Sequence, residues 1–125
     1  MTPLHLSWKR CWTGLRARGD GTALRERLLD AWCEAQRKYH TLQHLADSVA
    51  LLGDHLDLAE HPAEVEMALW FHDAVYQVTA HDNETQSARL AANELAAAGV
   101  SDTAIDRIRH LKARRRRMVE RQTVK

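Results

Sequence analysis

Three histidines and one aspartate occupy positions whose chemistry suits a divalent metal ion. His40 and His44 stand four residues apart in KYHTLQHLADSV, so on a helix they would project from one face, one turn apart. His72 and Asp73 are adjacent in LWFHDAVY, a run that is otherwise apolar or aromatic. Adjacent helical residues point about 100° apart, so both can serve one site only in a crevice between helices. Three imidazoles and a carboxylate would suit Zn²⁺, Mn²⁺ or Fe²⁺.

A purely structural role is the alternative for each of these residues. A lone histidine usually has a satisfied hydrogen bond in the core or at the surface, and we interpret the other five in this way: His5, His55, His61, His81 and His110. Asp73 could be a solvated helix residue, but its neighbours are apolar, and burying an unpartnered carboxylate costs several kcal/mol. A cation would remove that cost. On spacing alone both interpretations stay open, and the metal site is slightly favoured.

The elements that must position these residues are predicted to be helices. Apolar residues recur at helical spacing, and no stretch alternates convincingly as a strand does. RGDG, residues 18–21, predicts a turn, and Pro62 suits the first turn of a new helix. Gly99 is expected to end a helix, and Ser101 to cap the next one. The sequence therefore predicts a single all-α array of about six helices.

The predicted core consists of apolar stripes along these helices. The first four helices contribute Trp8, Cys11, Trp12 and Leu15; Leu24, Leu28, Ala31, Trp32 and Ala35; Leu42, Leu45, Val49, Leu52 and Leu56; and Val65, Ala68, Leu69 and Ala74. The four tryptophans are interpreted as core or interface packing.

The composition is that of a globular protein. The chain has 125 residues, of which 45% are hydrophobic and 28% are charged, which suits one domain with one core. No apolar run approaches the roughly 20 residues of a membrane span, and the N-terminus lacks the apolar centre of a secretory signal. Cys11 and Cys33 are not closely spaced and are expected to be reduced thiols. We therefore expect a cytoplasmic protein without a membrane partner.

Charge divides the chain into a helical domain, residues 1–111, and a basic tail, residues 112–125. The tail has seven basic residues and one acidic residue, so it carries +6 and the domain −5. Four consecutive arginines could bind nucleic-acid phosphates, which makes a binding module one alternative function. No aromatic residue interleaves them to stack on bases, and we expect a solvated terminus rather than a nucleic-acid partner.

Three motifs in order resemble a known family. RKYHTLQHL, ALWFHDAVY and NETQSA are similar to the motifs of a bacterial branch of predicted metal-dependent phosphohydrolases in the HD superfamily. The resemblance extends from about Trp8 to about His110. It implies an HD-like all-α domain that hydrolyses a nucleotide or another small phosphoester.

The resemblance also implies roles for the histidines and the aspartate. His72 and Asp73 would bind a divalent ion (Mn, Mg, Zn, Fe or Ni), and Asp73 could bridge two ions. YHTLQHLADSV also resembles a segment of cyclic-nucleotide phosphodiesterases, which share this core. By that comparison His44 is the ligand and His40 the general acid that protonates the leaving oxygen. Other HD proteins favour His40 as the ligand, so both assignments stay open, with His44 preferred.

Three further residues are candidates around that site. Asn83 and Glu84 match the branch motif, which implies substrate binding by Asn83 and a catalytic role for Glu84 in holding a ligand or a coordinated water. Glu84 could equally be a favourable charge in the first turn of a helix. Arg37 could bind a substrate phosphate through its guanidinium, although a solvated helix arginine is the simpler interpretation.

The C-terminal sequence departs from the family. Members of the branch continue past IRHL with another helix and a final aspartate ligand, whereas here KARRRRMVERQTVK follows. Such a change is expected after a truncation or a frameshift beyond about His110. The expected consequences are a site short of one ligand and, as an alternative to an enzyme, a catalytically impaired helical remnant. Uncovered apolar surface would then favour a homodimer.

Overall fold

The computed structural model describes residues 2–33, 42–53, 59–72, 74 and 83–111, and Glu84 by its backbone alone. Within these ranges the chain forms six helices and no strand, which confirms the all-α prediction. The helices are α1 (Pro3–Gly14), α2 (Thr22–Trp32), α3 (Leu42–Gly53), α4 (Pro62–Phe71), α5 (Asn83–Ala97) and α6 (102–111). The basic tail, residues 112–125, lies outside the described residues, as do Ala35 and Leu56.

Local sequence signals set the ends of several helices. Pro62 occupies the first turn of α4, as predicted. Gly99 follows the end of α5 with φ +84°, a conformation that glycine adopts without strain. The Ser101 hydroxyl accepts a hydrogen bond from the Ala104 amide at 3.2 Å and caps α6. Each prediction of a helix end among these residues is confirmed.

The RGDG turn is held against α1 by two tryptophans. The Trp12 indole donates to the Gly19 carbonyl at 2.9 Å, and the Trp8 indole donates to the Asp20 carbonyl at 3.1 Å. The two indoles stack with their centroids 5.2 Å apart and are buried. The turn that leads into α2 is therefore packed on two aromatic rings of α1.

Helix α4 is the centre of the array, in contact with α1, α3 and α5. Its buried residues surround the helix axis, and they include two carboxylates, Glu64 and Glu66. The predicted stripe named Val65 and Ala68, but these two side chains are only partly buried. A helix enclosed on several sides has no single apolar face for a sequence pattern to detect.

The two buried carboxylates of α4 are paired with arginines on other helices. Glu66 accepts hydrogen bonds from the Ser7 hydroxyl at 2.8 Å and from Arg10 Nε at 2.9 Å, both on α1. Glu64 accepts two bonds from the Arg107 guanidinium of α6, each 2.7 Å long. These bonds satisfy charges that would otherwise be costly to bury, and they fix α4 between α1 and α6.

No helix in the described ranges has the length and apolar character needed to cross a membrane.

Candidate metal centre

Three aromatic side chains meet where α2 ends, α3 begins and α4 ends. Trp32 is the last residue of α2, His44 lies in the first turn of α3, and His72 is the C-cap of α4. The ring centroids of His44 and His72 are 6.1 Å apart. The Trp32 indole lies 5.3 Å from the His72 ring and 6.4 Å from the His44 ring. Two predicted site residues from different helices are therefore brought together.

The packing of α3 explains the position of His44. Leu45 and Val49 are buried in the core, and Leu42 and Leu52 are partly buried beside them. His44 precedes Leu45, so it lies at the edge of this buried stripe and is itself half-buried. A side chain at that edge lies close enough to the Trp32 and His72 rings to pack with them.

The end of α4 orients the His72 ring. Its Nδ1 lies 2.5 Å from the Leu69 carbonyl oxygen, one of the last four carbonyls of the helix, which have no partner within it. A carbonyl can only accept, so Nδ1 must carry the proton, and in the neutral ring the lone pair is on Nε2. Histidines that bind metals are commonly oriented by such a bond.

Trp32 satisfies the next carbonyl of the same helix end. Its indole nitrogen donates to the Trp70 carbonyl at 3.0 Å, and the whole side chain is only 1% exposed. Two carbonyls at the end of α4 thus accept from heterocycles, one from its own C-cap and one from α2. The sequence predicted Trp32 as core packing, which is confirmed, but its contact with the histidines was missed.

The two imidazoles are suited to act as ligands of one ion. Rings that bind the same ion through nitrogens about 2 Å away have centroids about 5 Å apart in tetrahedral geometry. The observed 6.1 Å is about 1 Å longer, so the side chains would have to rotate to bring the two rings closer. In the described part of the chain no cluster of three or more histidines, cysteines or acidic residues is arranged to hold a metal.

Of the other predicted site residues, the structure describes only Asn83 with its side chain. Arg37, His40 and Asp73 lie outside the described residues, as does the Glu84 side chain. Asn83 begins α5 and is half-buried.

The histidines predicted to have ordinary roles agree with that interpretation where they are described. His5 hydrogen-bonds the Thr2 hydroxyl, and His110 donates to the Asp106 carbonyl. His61 is exposed at the start of α4. His55 and His81 lie outside the described residues.

A small crevice between α4, α5 and α6 opens beside His72. Its volume is about 20 Å³, which is room for about one water molecule. Ser87, which is buried, and Arg109 line it together with His72. Sequence reasoning missed both residues. The available signal for Ser87 was its position one helical turn after Asn83, within the NETQSA motif.

Arg109 differs from two other arginines that tie helices to α4. Hydrogen bonds to Glu66 raise the pKa of Arg10, and hydrogen bonds to Glu64 raise that of Arg107, so both are committed to structural ion pairs. Arg109 is exposed and forms no ion pair with any residue that the structure describes. It is therefore a cation at the crevice that is available to an anion.

Comparison with known proteins adds no relative: no protein-family model, curated protein or solved structure matches this chain.

Proposed function

We propose that this protein is a metal-dependent phosphohydrolase of the HD type, acting on a nucleotide or another small phosphoester. The observation that carries the proposal is the approach of His44 and His72, from separate helices, to a centroid distance of 6.1 Å. The order of the motifs RKYHTLQHL, ALWFHDAVY and NETQSA supports the choice of chemistry.

The ligands in this proposal are His44, His72 and Asp73. His72 would bind through Nε2, because its Nδ1 proton is directed to the Leu69 carbonyl. Asp73 follows His72 in the chain and would add the carboxylate that two neutral imidazoles lack. A bound divalent ion would polarise a phosphoryl oxygen and lower the pKa of a water molecule.

Residues around the ligands would bind and orient the substrate. His40 would donate a proton to the leaving oxygen, and Glu84 would orient a water molecule by hydrogen bonding. Arg37 and Asn83 would contact the substrate. Arg109, which is exposed, would meet a phosphate oxygen outside the crevice that it lines with His72, because that crevice has room for only about one water molecule.

The test combines metal analysis with activity on the full chain. Purified protein should bind about one equivalent of Zn²⁺ or Mn²⁺ and hydrolyse at least one substrate of a phosphomonoester and phosphodiester panel. His44→Ala and His72→Ala should each lose most of the metal and the activity. The matched controls are His61→Ala and His110→Ala, which remove exposed imidazoles elsewhere and should retain both.

The outcomes separate the enzyme from a protein that only binds metal. Metal bound through His44 and His72, without turnover of any panel substrate, would support the catalytically impaired alternative and refute the enzymatic proposal. Equal metal binding by all four variants would refute the site itself.

A further inference from the structure

Side-chain donors bond two carbonyls at the end of α4, and the carbonyl of its last residue, Phe71, accepts from the Ala74 amide at 3.0 Å. The carbonyls of Leu69 and Trp70 are consecutive, and they accept from the His72 ring and the Trp32 indole respectively. Both carbonyls belong to the last turn, where intrahelical partners are absent. These two bonds hold the last turn of α4 and the ring of His72, its C-cap.

Trp32 makes contacts that ordinary core packing does not require. Its ring lies against both His72 and His44 as well as bonding to the Trp70 carbonyl. A single side chain from α2 thus contacts the start of α3 and the end of α4. Because it is 1% exposed and its nitrogen is hydrogen-bonded, it is held in one place.

We propose that Trp32 is the positioning residue of the histidine pair. Its indole holds the last turn of α4 through the Trp70 carbonyl and lies tilted against both imidazoles. This keeps the Leu69 carbonyl on Nδ1 of His72 and makes Nε2 the nitrogen that would bind the ion. The role of Trp32 in metal binding rests on the proposed function, whereas its effect on the His72 tautomer does not.

The test is Trp32→Phe, which keeps an aromatic ring but removes the N–H donor. Nitrogen NMR of the metal-free protein, at a pH where histidine is neutral, should show His72 almost entirely as the Nδ1–H tautomer in the parent chain. In the variant we expect a mixture of tautomers, because the unsatisfied Trp70 carbonyl releases the last turn. Zn²⁺ affinity should fall about tenfold, as for the loss of other groups that orient ligands.

Trp12→Phe is the matched control. Trp12 is also a buried tryptophan whose indole donates to backbone carbonyls, but those belong to the turn after α1. This variant should lose stability while leaving the His72 tautomer unchanged and Zn²⁺ affinity within about twofold of the parent, short of the loss of about tenfold or more that is expected for ligand-orienting groups.

Two results would overturn the proposal. One is an unchanged His72 tautomer in a folded Trp32→Phe protein, and the other is an equal change in Trp12→Phe, which would indicate general loosening. If the parent chain binds no metal, the proposed function fails, but the tautomer comparison still decides whether Trp32 positions His72.

Discussion

At the scale of single residues, buried polar groups determine which side chains the fold cannot lose. Glu66 is 1% exposed, and its carboxylate is bonded by Ser7 and Arg10. The Trp70 indole donates to the same Ser7 hydroxyl at 3.1 Å. This network joins α1 to α4 through Glu66 and Trp70.

Arg10→Ala should therefore destabilise the protein by about 2 kcal/mol, because it leaves a buried carboxylate without its counter-charge. Arg27→Ala is the control, since Arg27 makes an equally well-formed bidentate pair with Glu94 at the surface. Arg27→Ala should lower the free energy of unfolding by about 1 kcal/mol at most. Urea unfolding of both variants measures the difference, and equal losses would contradict the argument.

The two cysteines should differ in reactivity. Cys11 is fully buried and Cys33 is exposed, and burial raises the pKa of the Cys11 thiol well above its usual value. A thiol reagent should modify one cysteine rapidly in the native protein and the second only after unfolding. Rapid modification of two thiols, or a rapid phase that survives Cys33→Ser, would contradict this.

The same raised pKa has a consequence for stability at high pH. Above about pH 9 an unfolded Cys11 ionises, whereas the buried thiol keeps its proton. The folded state then binds more protons than the unfolded state, so this contribution to stability is present below that pH and declines as the pH rises.

Sequence reasoning at this scale found residues but not their partners. It identified His44 and His72 because histidines four apart and a His-Asp doublet are local patterns. It missed the Trp32 bond to Trp70 and the Arg10 pair with Glu66, whose members are 38 and 56 residues apart. Nothing in the local sequence records which side chain another helix will supply.

At the scale of elements, the reliable predictions were those that depend on backbone chemistry. Pro62, Gly99 and Ser101 act at their own positions whatever packs around them, and all three mark helix ends as expected. The burial pattern of α4 could not be predicted equally well, because its environment is made by the other helices.

The RGDG turn offers a sharp test of element packing. Gly19 and Gly21 both have positive φ, +67° and +68°. A Cβ on Gly21 would lie 2.8 Å from Trp12 Cε2 and 2.9 Å from Trp8 Nε1, whereas a Cβ on Gly19 would meet nothing within 4 Å. The two positions share the backbone strain and differ in the space available.

Gly21→Ala should therefore cost about 3 kcal/mol, from strained backbone and from displacement of two buried indoles. Gly19→Ala should cost about 1 kcal/mol, from the backbone alone. Chemical denaturation of the two variants, followed by tryptophan fluorescence, checks this. If the two variants lose the same free energy of unfolding within error, the two indoles move aside at little cost.

At the scale of the whole molecule, the described helices share one hydrophobic core. Its buried members come from all six helices, and Trp8, Trp70 and Leu95 are among the most enclosed. The candidate metal centre is part of this assembly, because Trp32 belongs to the same core and contacts both histidines. The histidine pair can therefore form only when α2, α3 and α4 are packed together.

This coupling predicts that a bound ion stabilises the entire fold. A ligand at 100 times its dissociation constant adds about 2.7 kcal/mol if it binds only the folded state. For a chain of this size that would raise the melting temperature by roughly 10 °C, somewhat less if unfolded histidines also bind the ion. Thermal unfolding followed by far-UV circular dichroism, with and without Zn²⁺, measures the shift.

The variants decide whether that shift comes from the proposed centre. His72→Ala should abolish it, because the remaining imidazole cannot hold the ion between α3 and α4. His61→Ala should keep the full shift, since His61 is an exposed side chain at the other end of α4. A shift that persists in His72→Ala would place the ion elsewhere on the molecule, and the proposed phosphohydrolase would then lack its metal centre.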